Sequence, residues 1–96
     1  MAKRTIVWAE SAIRQRRKIF KYWNERNGSR EYSIRLLSKI QFRLSILANY
    51  PEIGKNANKP NVKALIIENY SLFYTFSSTH IEVLSFWDHS QNPSEM

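Results

Sequence analysis

The chain contains no cysteine. Disulfides and thiolate metal sites are therefore excluded, and a reducing compartment suits it. Glycine is scarce, limited to Gly28 and Gly54, so there is no glycine-rich loop to cradle a phosphate. Only two histidines are present, His80 and His89, and they do not form the helical pair that zinc enzymes use; neither a metal nor a cofactor is expected. No apolar run approaches the roughly 20 residues of a membrane-spanning helix. The start, Met1-Ala2-Lys3-Arg4, has no long apolar stretch behind it and does not read as a signal peptide. A cytoplasmic protein with no membrane partner is the expectation. The motifs of Ser- or Cys-based hydrolases are missing as well. Beyond Lys63 there is no lysine or arginine at all.

What is present is a folding sequence of one-domain length: 96 residues, 43% hydrophobic, with thirteen Trp, Tyr and Phe side chains to fill a small core. The net charge is +7, and its distribution is lopsided. Residues 1–63 carry all fifteen cations against four carboxylates, a net +11, whereas residues 64–96 carry a net −4. A cationic surface on the N-terminal two thirds would attract nucleic acid, the ribosome or an acidic protein segment.

Hydrophobic spacing gives the element order. Lys3–Trp8 reads as a short strand, rich in β-branched and aromatic types. From Ala9 the period changes: Ala9, Ala12, Ile13, Ile19, Phe20 and Trp23 form one helical stripe, with Arg14, Arg17, Lys18 and Lys21 turned away from it. Gly28 suits the helix end. Ser29 reads as the N-cap of a second helix, with Glu31 in its first turn and an apolar stripe of Leu36, Leu37, Ile40, Leu44 and Leu47. Pro51 ends that helix near Asn49. A loop from Tyr50 to Asn61 carries Lys55 and Lys59. Three strands follow, about Val62–Glu68, Tyr70–Ser77 and Ile81–Asp88, joined by short turns and hence antiparallel. In the second, Tyr70, Leu72, Tyr74 and Phe76 share a face. In the third, alternation places Ile81, Val83, Ser85 and Trp87 together, opposite Glu82, Leu84, Phe86 and Asp88. Both faces of the sheet keep large aromatics, so the face away from the helices is expected to be a second small core or a binding groove. The expected fold is α+β, β-α-α-β-β-β, a helical hairpin on a four-stranded, mostly antiparallel sheet. Residues 1–96 form a single domain, with 89–96 a flexible tail.

The residues able to do chemistry are cations, tyrosines and histidine. Cleaving RNA at its 2′-hydroxyl needs a base, a cation for the phosphorane charge and an acid for the 5′-oxygen. Lys55, Lys59 and Lys63 could hold phosphate, Tyr70 and Tyr74 could stack a base or give a proton, and His89 could transfer protons near neutral pH. Solvated lysines, tyrosines covering a sheet and an ordinary surface histidine account for the same residues without any function.

The order of elements resembles that of RelE/ParE toxins. Gly28-Ser29-Arg30-Glu31-Tyr32, Leu47 with Pro51 and Gly54, Asn61-Val62-Lys63-Ala64-Leu65, Asn69-Tyr70-Ser71-Leu72-Phe73-Tyr74 and Trp87-Asp88-His89 add to the likeness. The resemblance implies the toxin of a type II toxin–antitoxin pair, with a cognate antitoxin as partner. It implies one of two routes to growth inhibition. One is ribosome-dependent, metal-independent mRNA cleavage, with Lys63, Tyr74 and His89 catalytic and Lys55, Lys59 and Tyr70 binding substrate. The other is non-enzymatic inhibition of DNA gyrase. The nucleases of the family carry an arginine where this chain has Lys63, and lysine lacks that planar fork. They also place basic residues on the last strands, where this chain has none. A basic nucleic-acid-binding module without toxicity is the third possibility the composition leaves open.

Overall fold

A computed structural model describes residues 3–89. Strand β1 (Thr5–Trp8) leads into helices α1 (Glu10–Asn27) and α2 (Glu31–Asn49), then a 3₁₀ turn (Pro51–Ile53). Strands β2 (Lys55–Asn56), β3 (Lys63–Ile67), β4 (Tyr70–Phe76) and β5 (His80–Asp88) complete the chain. The α+β class is that expected from the sequence, and so is the element order apart from the added strand β2. Of the expected tail, residues 90–96 lie outside the described residues.

The helical hairpin forms for the anticipated reasons. Gly28 ends α1 in the left-handed region, at φ 66°. The second helix begins one residue later than the sequence suggests: Arg30 occupies the cap position, while Ser29 Oγ accepts the Glu31 N–H at 3.4 Å. Ser29 is used up in the turn after Gly28, so its hydroxyl makes a local i→i+2 contact and caps no helix. Across the hairpin Ser33 Oγ donates to Asn24 Oδ1 at 2.7 Å, tying α2 to α1 with a satisfied buried hydroxyl.

The sheet has five strands in the order β1-β5-β4-β3-β2. The strand beyond the expected four is β2, whose two residues pair with Ala64 and Lys63 of β3. It is too short to carry a periodicity of its own. All pairings are antiparallel except β1 with β5, which run parallel from Thr5↔His80 to Trp8↔Val83. A parallel pair needs a long crossover, and the two helices supply part of it.

The alternation expected of the last strand breaks at Leu84. Tyr74 pairs with Val83 but Phe73 pairs with Ser85, so β5 carries one extra residue. Beyond this bulge the faces exchange. Phe86, not Trp87, enters the core, at 1% exposure. The groups the bulge unpairs are taken by α1: Ser11 Oγ donates to the Leu84 carbonyl at 3.0 Å, and Gln15 Oε1 accepts the Phe86 N–H at 2.7 Å.

The core lies between the hairpin and one face of the sheet. Leu36, Ile40, Leu44 and Leu47 of α2, with Ala12 of α1, meet Leu65, Ile67, Tyr70, Leu72, Tyr74, Ile81, Val83 and Phe86. The opposite face holds Val7, Ile66, Phe73 and Trp87, half-buried or exposed. No helix among the described residues is long and apolar enough to cross a membrane.

Candidate functional site

The loop between α2 and β3 is built on Tyr74. Its ring is fully buried. Its hydroxyl donates to the Pro51 carbonyl at 2.7 Å and accepts the Gly54 N–H at 3.0 Å. This latch holds the 3₁₀ turn against β4 and delivers the chain into β2. Lys63, on β3 beside Tyr74, reaches back across the loop: its Nζ donates to Asn56 Oδ1 at 3.0 Å, with the Gly54 carbonyl 3.5 Å away. Lys59 and Lys63 border one open recess of about 730 Å³, lined also by Asn56, Asn58, Asn61 and Phe76. Two ammonium groups and three amides can hold an anion there. Lys55 does not line this recess. It pairs with Ala64, so its side chain belongs to the opposite face of the sheet.

Tyr70 and His89 stand at the other end of β4. Tyr70 pairs with Asp88, and Tyr74 with Val83. The four-residue step from Tyr74 to Tyr70 spans about 13 Å of strand. Tyr70 is 2% exposed, stacks on Phe86 at 5.1 Å and accepts a 2.8 Å hydrogen bond from Trp23 Nε1. His89 folds back so that its Nε2 lies 2.5 Å from Ser71 Oγ, and its backbone N–H donates to the Asn69 carbonyl. Around them Tyr22, Trp23, Arg26, Asn69 and Asp88 complete a second recess of about 470 Å³.

Lys55 apart, the residues singled out from the sequence thus fall into two places. Lys59 and Lys63 share a recess, with Tyr74 beneath it as a buried support. Tyr70 and His89 are grouped more than a dozen ångströms along the strand, by the same spacing. Sequence reading missed Tyr22, Trp23 and Arg26 as neighbours of His89. Trp23 is 47 positions from Tyr70, and its place in the apolar stripe of α1 spoke only of packing. Among the described residues no group of three His, Asp or Glu side chains is placed to hold a metal ion.

Burial raises the phenol of Tyr70 well above its ordinary value of 10, the bond from Trp23 opposing it only in part. Burial raises Tyr74 too. Both hydroxyls therefore stay protonated through the neutral range. Raised folded-state values mean that both favour the fold fully below pH about 10 and lose that contribution as pH rises above it. Alkali should thus unfold the protein, and Tyr70→Phe should flatten the response. Urea midpoints at about pH 8 and about pH 11 check this: the drop between them is expected to be smaller in the variant, and an equal drop would refute the assignment.

Comparison with known proteins agrees with this architecture. A family model described as ParE toxin of type II toxin-antitoxin system, parDE, matches residues 6–93. A chain of the chromosomal ParDE TA system from P. aeruginosa superposes with a TM-score of 0.75 at 17% identity, over 90% of this chain and 96% of that one. A chain of the E. coli DinJ-YafQ toxin-antitoxin complex superposes with a TM-score of 0.57 at 8% identity, over 93% of this chain and 96% of that one. No curated protein matches.

Proposed function

The chain belongs to the ParE toxin family of type II toxin–antitoxin systems, and on that footing we propose that it arrests growth by binding DNA gyrase rather than by cleaving RNA. The family match over residues 6–93 carries this reading. The dispersal of the candidate chemistry supports it. An RNA-cleaving site needs its cation and its proton carrier within reach of one phosphate. Here Lys63 lies at one end of β4 and His89 at the other, and both tyrosine hydroxyls are engaged inside the fold. A cognate antitoxin is the neutralising partner in this reading.

The test uses the purified chain with DNA gyrase and relaxed plasmid. Supercoiling is expected to fall as the chain is added and to recover when the cognate antitoxin follows, while transcripts in a translating extract stay intact. Unimpaired supercoiling at high chain concentration, together with cut transcripts, would overturn the proposal. It would favour the second reading, ribosome-dependent cleavage, which draws on the shared recess of Lys59 and Lys63. In that case Lys63→Ala should remove cutting and toxicity together.

A further inference from the structure

The outer face of α1 has no part in the core or in either recess above. Arg14, Arg17, Lys18 and Lys21 recur there at i, i+3, i+4 and i+7, one side of a helix. All four are exposed, and they line a shallow channel of about 490 Å³ with Ser11 and Gln15. The two polar side chains are turned to β5, where they hold Leu84 and Phe86. What the channel offers outward is therefore cationic. Glu10 and Glu25 bracket the stripe, and the single ion pair on it among the described residues is the 4.0 Å, well-exposed Lys21–Glu25 contact, too weak to neutralise it.

We propose that this stripe is a track for the phosphate backbone of duplex DNA. From Arg14 to Lys21 the helix rises about 10.5 Å, the axial length of about three phosphates on one strand. No apolar anchor lies among the four cations. A phosphate backbone needs only such spaced positive charge, and the regular i, i+3, i+4, i+7 spacing on one straight helix suits its repeat. The choice of DNA over RNA rests on the gyrase reading. The toxin would then grip the DNA that gyrase holds as well as the enzyme, with contacts indifferent to base sequence.

The experiment measures binding of the intact chain to a labelled random-sequence duplex of about 25 base pairs by fluorescence anisotropy across a salt series. Four phosphate contacts predict a log–log salt slope of about −3.6, or roughly 100-fold weaker binding at 200 than at 50 mM salt. Arg17→Gln/Lys21→Gln should reduce the slope by about 2. Arg30→Gln/Arg35→Gln removes the same charge from exposed positions elsewhere and should leave the slope near that of the unmodified chain. Circular dichroism confirms folding, and Lys18→Glu alone should lower the slope by about 1 or more. Equal losses in the two double variants, no binding by the unmodified chain, or tighter binding of poly-glutamate or duplex RNA would each overturn the proposal. Gyrase is absent from this assay. Intact supercoiling beside normal DNA binding would therefore sink the gyrase reading alone, while lost supercoiling beside no DNA binding would sink only the track.

Discussion

Phe86→Ala is expected to bring the protein to the edge of unfolding. The ring is 1% exposed, stacks on Tyr70 at a 5.1 Å centroid distance and meets Trp8 edge-on at 6.5 Å. Emptying such a site costs about 3–5 kcal/mol, transfer and cavity together. A domain of this length holds about 5–15 kcal/mol in all. Thermal unfolding followed by circular dichroism should show a melting temperature many degrees lower. Phe42→Ala gives the contrast: that ring is 65% exposed, and its removal should change stability by no more than about 0.5 kcal/mol. Trp87→Ala is the discriminating control. Regular alternation along the last strand would bury Trp87 and expose Phe86, so a larger loss at Trp87 than at Phe86 would mean that the bulge at Leu84 is misplaced.

The same residues show how far the sequence could be read. The two helices were legible because their apolar stripes recur over about three to four turns, and Leu36, Ile40, Leu44 and Leu47 are among the residues buried in α2. Tyr70, Leu72 and Tyr74 were legible as one face, since nothing interrupts the alternation of β4. The bulge was not legible. Its unpaired groups are held by Ser11 and Gln15, more than 70 positions away, and no local window contains both partners. The pairing of β1 with β5 is non-local in the same way. Strand β2 exists only through its partner, because two residues have no period to detect. For the site, Lys59 and Lys63 are close along the chain and border one recess. The further grouping of Lys63 and Tyr74 with His89 comes from the family resemblance and not from the strands. The register of β4 with β3 and β5 separates them instead.

The latch beneath the basic loop depends on the missing side chain of Gly54. Gly54 has φ −69°, an ordinary value, so its backbone demands no glycine. Space demands it. A Cβ at this position would lie 2.4 Å from the Tyr74 hydroxyl, 2.9 Å from Tyr74 Cε1 and 3.0 Å from the Ala64 carbonyl. None of these can retreat easily, because Tyr74 is fully buried, its hydroxyl is bonded to Pro51, and Ala64 is held in the sheet between Lys55 and Phe73. Gly54→Ala should therefore cost about 1–3 kcal/mol through overpacking. Tyr74→Phe alone should cost a similar amount, about 1–3 kcal/mol, by leaving the Gly54 N–H and the Pro51 carbonyl without their shared partner. The double variant separates the two causes. With the hydroxyl gone the worst clash disappears, so the double loss should fall short of the summed single losses by about 0.5 kcal/mol or more. Strict additivity in urea titrations would show that the alanine is absorbed by movement of the whole loop. Such movement would also carry the Gly54 carbonyl away from Lys63 Nζ and reshape the recess that Lys63 shares with Lys59. The packing of a single glycine against one buried tyrosine thus sets where the loop's cations stand.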